Sequence, residues 1–178
     1  ARHGTRQRDG SIWIEGEDGS GAGTNSSLSN VSNGSARVHT GVGSGSPGAP
    51  STLTFALATP PHGVYRVLAR MAPGTNAAIF PTHAAVGYSY GSITQTPDST
   101  AQYVDLQTAS NDRFDVYDIG LLQVPPVPVF EGGTLGTYTV RLAYYVSAAG
   151  TSTVKTDSIM LLPIGQGGMH IKKGTNAQ

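Results

Sequence analysis

Between Tyr138 and Val146 the chain alternates without a break. Tyr138, Val140, Leu142, Tyr144 and Val146 share one parity, and Thr139, Arg141, Ala143 and Tyr145 share the other. A period of two puts these sets on opposite faces of a strand, which commits the segment to a sheet with one covered face. The same pattern returns in Leu53, Phe55 and Leu57, and again in Tyr65, Val67, Ala69 and Met71, which are interleaved with Arg66, Leu68 and Arg70. Further strands are expected at 11–18, 35–40, 77–90, 101–107, 113–123 and 152–162. Pro60-Pro-His-Gly63 and Ala148-Ala-Gly-Thr151 mark turns between them. Pro81 belongs at an edge or bulge, and Pro125, Pro126 and Pro128 stop sheet pairing. No helical period runs beyond two turns. The expectation is an all-β chain, an antiparallel β-sandwich of the jelly-roll kind.

Composition narrows the partners. The 178 residues fit one domain, expected over 11–163, with an N-terminal arm at 1–10 and a C-terminal tail at 164–178. Charged residues make up 12% and the formal net charge is zero, so the basic footprint of a nucleic-acid binder is missing. The one basic cluster, Arg2, His3, Arg6 and Arg8, lies in the arm, where it is solvated or docks on a partner. There is no cysteine, which removes disulfides and thiolate chemistry. Apolar runs fall far short of the ~20 residues a membrane helix needs, so no membrane is expected as partner. The start at Ala1 is compatible with excision from a larger chain.

Chemistry concentrates at Ser11-Ile-Trp-Ile-Glu-Gly-Glu-Asp18. If the strand runs through, Glu15 and Glu17 share a face and repel unless a positive group lies between them. Asp157 shares parity with Ile159 and Leu161, so it is expected on an inward face, where an unpaired carboxylate is costly. A cation joining Glu15, Glu17 and Asp157 resolves both problems, and calcium suits an all-oxygen set. The competing reading is solvated carboxylates on an edge strand. A glycosidase acid/base pair does not fit, because same-face neighbours on one strand cannot flank a substrate. His39, His62, His83 and His170 lack zinc spacing. No nucleophile elbow is present, and no phosphate-cradling glycine loop opens a helix. Sugar binding calls for aromatic faces. Trp13, Tyr88 and Tyr90 are the candidate ligand-binding residues, with Tyr103 and Tyr117 behind them, and ordinary packing is the competing role of each.

These motifs carry a resemblance. Ile14-Glu-Gly-Glu-Asp18, Gly63-Val-Tyr-Arg-Val-Leu-Ala-Arg70 and Thr156-Asp-Ser-Ile-Met-Leu-Leu-Pro163 resemble the first, Gly-x-Tyr and closing strands of jelly-roll carbohydrate-binding modules of families 6 and 35, in the galactose-binding-like fold. The resemblance spans about residues 11–163 and implies a structural calcium ion held by Glu15, Glu17 and Asp157. Arg113-Phe-Asp-Val-Tyr-Asp-Ile-Gly120 and Val124-Pro-Pro126 depart from the enzyme-attached modules and are similar to domains of bacteriophage tail and other virion proteins. The expected function is therefore a non-catalytic structural or host-attachment component of a virion. Its partners would be other virion or assembly subunits, with a cell-surface glycan second, and its location the virion or the extracellular space. The alternative is a carbohydrate-binding module of a secreted bacterial glycoside hydrolase.

Overall fold

The computed structural model describes residues 5–6, 10–21, 23–43, 51–57, 63–73, 82–90, 93–95, 104–105, 113–124, 138–146 and 151–164. The strands are β1 (Thr5–Arg6), β2 (Ile12–Glu15), β3 (Ser20–Gly21), β4 (Thr24–Ser27), β5 (Ser35–Gly43), β6 (Ser51–Leu57) and β7 (Gly63–Pro73). They are followed by β8 (Thr82–Tyr90), β9 (Ile93–Gln95), β10 (Val104–Asp105), β11 (Asp115–Val124), β12 (Tyr138–Val146) and β13 (Thr151–Ile164). Single 3-10 turns at Gly16–Asp18 and Ser32–Gly34 are the only helical elements among the described residues. The chain is an antiparallel β-sandwich, as the alternation requires.

In the first sheet β13 is central. Along one side it pairs with β7, which in turn pairs with β11. Its other side is shared, Ser158–Leu161 pairing with β2 and Thr151–Thr156 with β5. β1 extends this sheet beyond β2, and β4 extends it beyond β5. In the second sheet β12 lies between β6 and β8. β3 joins β6, while β9 and β10 join β8. The inward sets meet between the sheets: Ile12, Ile14, Phe55, Val67, Val140, Leu142 and Ile159 all belong to one buried cluster. Tyr65, fully buried, is the largest side chain in it. The strand that carries Glu15 and the strand that carries Asp157, β2 and β13, are neighbours in the first sheet.

Several elements differ from the sequence reading. β2 stops at Glu15, because Gly16 turns the backbone down onto β13. The N-terminal arm contains β1, whose pairing covers the otherwise bare edge of β2. The closing strand runs on to Ile164, past the expected end of the strand at 162. The Gly/Ser/Asn-rich stretch after Asp18 holds β3 and β4, edge strands with no buried residue and so no alternation to announce them. Of the strand expected at 101–107, Val104–Asp105 is described as strand; the remainder lies outside the described residues, as do 7–9 of the arm and the tail from 165.

Candidate functional site

β2 buries Ile12 and Ile14 in the core, so Trp13 and Glu15 stand on the outer face of the first sheet. Trp13 Nε1–H donates to Glu15 Oε1 at 2.9 Å, and Ser32 Oγ–H donates to the same oxygen at 3.1 Å. Asn33 Nδ2–H donates to Glu17 Oε1 at 2.7 Å, and Asn25 Nδ2–H to the Glu17 carbonyl at 2.8 Å. The turn at Ser32–Gly34 therefore grips both glutamates with adjacent residues. Two consecutive left-handed residues, Asn33 (φ 54°) and Gly34 (φ 72°), allow this, and Asn and Gly adopt that conformation at least strain.

Asp157 occupies a bulge in β13 between Thr156 and Ser158 and is fully buried. The bulge breaks the parity that would have aimed it into the core with Ile159. Its carboxylate instead meets the outer face: Arg70 Nη1 donates to Oδ2, and the Ser32 backbone N–H donates to Oδ1 at 2.6 Å. Arg70 alternates along β7 with the buried Ala69 and Met71, so this pair sits above the sheet and beneath the 28–34 loop. Arg70 Nη2 also donates to the Asn30 carbonyl at 3.1 Å, and its guanidinium lies 5.1 Å from the Phe114 ring centroid. A cleft of about 330 Å³ opens beside this pair, lined by Leu28, Ser29, Asn30, Phe114 and Lys155.

The three carboxylates singled out in the sequence thus share one loop, with Ser32 serving Glu15 through its hydroxyl and Asp157 through its backbone N–H, and Asn33 serving Glu17. Among the described residues no three His, Cys, Asp or Glu side chains gather as a metal-binding group. Both Asp157 oxygens are taken by Arg70 and Ser32. Glu15 Oε2 and Glu17 Oε2, by contrast, are closed to solvent and have no hydrogen-bond partner. Two orphaned carboxylate oxygens under one turn are the donor chemistry a hard cation takes, so the glutamates fit calcium and Asp157 serves as the anchor of Arg70. Trp13 is half-buried and holds Glu15 through its indole N–H. Tyr88 and Tyr90 pair in register with Val140 and Tyr138 of β12, and their side chains, like Tyr103, lie outside the described residues. Ser32, Asn33 and Phe114 were not foreseen. The Asn33-Gly34 dipeptide was the available sign of a tight turn.

No protein-family model matches the sequence, and no curated relative does either. Solved structures do resemble it. A family 35 carbohydrate-binding module from an environmental isolate is similar over 87% of this chain and 93% of its own, with a TM-score of 0.53 and 13% identity. The fold is the jelly roll of that module. The isomaltodextranase of Arthrobacter globiformis T6, complexed with panose, matches 87% of this chain with a TM-score of 0.58 and 18% identity. The Podospora anserina GH26-CBM35 β-(1,4)-mannanase matches 88% with a TM-score of 0.51 and 20% identity. This chain spans 24% and 28% of the lengths of those two chains.

Proposed function

We propose that this chain is a non-catalytic, glycan-binding β-sandwich module that works outside the cell. The observation that carries this is the similarity to a family 35 carbohydrate-binding module, over 87% of one chain and 93% of the other. The disposition of the acidic residues supports it. A glycosidase needs two carboxyl groups facing each other across a substrate; here Glu15 Oε1 is held by Trp13 and Ser32, and Asp157 by Arg70 and Ser32. Glu15 and Glu17 hold a structural calcium ion under the Ser32–Gly34 turn. The test is calorimetric titration with mannan and isomalto-oligosaccharides alongside an assay for reducing ends. Saturable binding without turnover is expected. Release of reducing ends, or binding to no glycan on a broad array, overturns the reading.

A role as a structural or host-attachment component of a bacteriophage virion is the second reading. It is favoured by an apolar row on the outer face of the first sheet. Leu68, Met160 and Trp13 stand in register across β7, β13 and β2, with Val116 and Leu121 exposed on neighbouring β11. Scattered apolar side chains on a surface are ordinary, whereas a row across three strands is what a partner subunit covers; on β11, Asp118 stands opposite Leu68 and parts Val116 from Leu121. Sedimentation distinguishes the two: a monomer at high concentration favours the glycan-binding module, and assembly abolished by Leu121→Asp favours the virion.

A further inference from the structure

We infer that the outer face of the second sheet carries an oxyanion-binding site centred on Arg141, and that its ligand is an anionic saccharide. The inference rests on the glycan-binding reading above and adds the charge of the sugar. Arg141 lies in the middle of β12 between Val140 and Leu142, both fully buried, so its side chain leaves the sheet on the side away from the core. It is half-buried, and its Nε is shut off from solvent with no hydrogen-bond partner. The other arginines with described side chains are all engaged. Arg66 pairs with Asp118 and Arg113 with Asp115, Arg70 with Asp157, and Arg37 bonds Asn25 and the Gly21 carbonyl.

Among the described residues the three central strands of this sheet provide no counter-charge, and the acid nearest in the sheet, Asp105, lies out on β10 in register with His83. Arg141 stands in register with Thr54 of β6 and Gly87 of β8. β6, β8 and β12 together contain no Asp or Glu. The register positions flanking Arg141 are occupied by Thr52, Thr54 and Ala56 on β6 and by Ala85, Gly87 and Ser89 on β8, all residues of small size. The Thr54 hydroxyl is within 2.8 Å of Ser20 Oγ, which places two hydroxyls at this edge of the face. A partly buried guanidinium whose Nε lacks a hydrogen-bond partner is costly. A rigid fork of donors set among small, hydroxyl-bearing neighbours matches a planar or tetrahedral oxyanion. The face is opposite the one carrying Glu15 and Asp157, so it is separate from the cation site.

The experiment is calorimetric titration of the intact chain with trigalacturonate, a sulfated carrageenan disaccharide and neutral galactotriose. Wild type and the variants Arg141→Gln and Arg141→Lys are compared. Wild type should bind one of the charged sugars at least about tenfold more tightly than the neutral one, the scale of one charge-assisted bidentate contact, and the preference should shrink as salt rises. Arg141→Gln should lose the preference, Arg141→Lys should keep part of it, and both should melt like wild type. Which charged sugar wins decides between carboxylate and sulfate. Equal binding of charged and neutral sugars by wild type, or a preference that survives Arg141→Gln, overturns the inference and leaves the glycan-binding reading standing. Binding of no saccharide overturns both. If Arg141→Gln fails to fold, the salt dependence and Arg141→Lys still decide.

Discussion

Arg70 and Asp157 make an ion pair unlike the other two described, because Asp157 is wholly shut off from water while Arg70 keeps 33% of its side chain exposed. The parity that predicted an inward acid at position 157 fails at the bulge, and Asp157 is buried on the outer side instead; its partner was not legible, because 87 residues separate the two and a missing counter-charge reads equally well as a metal. Removing the guanidinium leaves a buried carboxylate with the Ser32 N–H as its remaining described donor. Breaking a buried pair on one side costs about 3–5 kcal/mol, and the exposure of Arg70 puts Arg70→Met at the lower end. Urea unfolding of Arg70→Met should show that loss, and the double variant Arg70→Met/Asp157→Leu should recover part of it. A single variant as stable as wild type would mean that the pair does not hold the loop.

The strands with one covered face were readable, and β12 was bounded residue for residue, because core burial writes a period of two into the sequence. Bulges were not readable. One extra residue at Asp157 flips the parity of everything before it, so Val154 and Ile159, five apart, both face inward. Ile119 in β11 enters the core by the same device, with Gly120 at φ 119° beside it. The 3-10 turn after β2 has its own cause: a Cβ at Gly16 would lie 2.0 Å from the Thr156 carbonyl oxygen and 2.8 Å from that of Asp157. No side chain can yield there, since the obstacle is backbone. Gly16→Ala should therefore destabilise by more than the ~1–3 kcal/mol of ordinary overpacking, and it should displace Glu15 and Glu17 with the turn. Thermal melts test the first effect, and loss of any calcium-dependent stabilisation tests the second.

For the whole molecule the class of fold was legible in the alternation; which outward side chains meet a ligand was not, because pleat alone does not rank them. A calcium ion on Glu15 and Glu17 would tie the turn at Ser32–Gly34 to the end of β2, and any ligand that binds only the folded chain raises stability by mass action. EDTA should lower the melting temperature and calcium should restore it, with about 2.7 kcal/mol gained at a hundredfold excess over Kd. A melt indifferent to both assigns the orphaned oxygens to water. The central place of β13 bears on timing. β2, β5 and β7 each pair along one edge with a strand that follows every other described one in the chain. On a ribosome, the first sheet has no middle until residue 164 has emerged, and the earlier strands wait with open edges. Closing such distant pairs is slow, which places folding in the millisecond-to-second range of β-sandwiches. For that interval the nascent chain depends on whatever shields its edges from each other and from its neighbours.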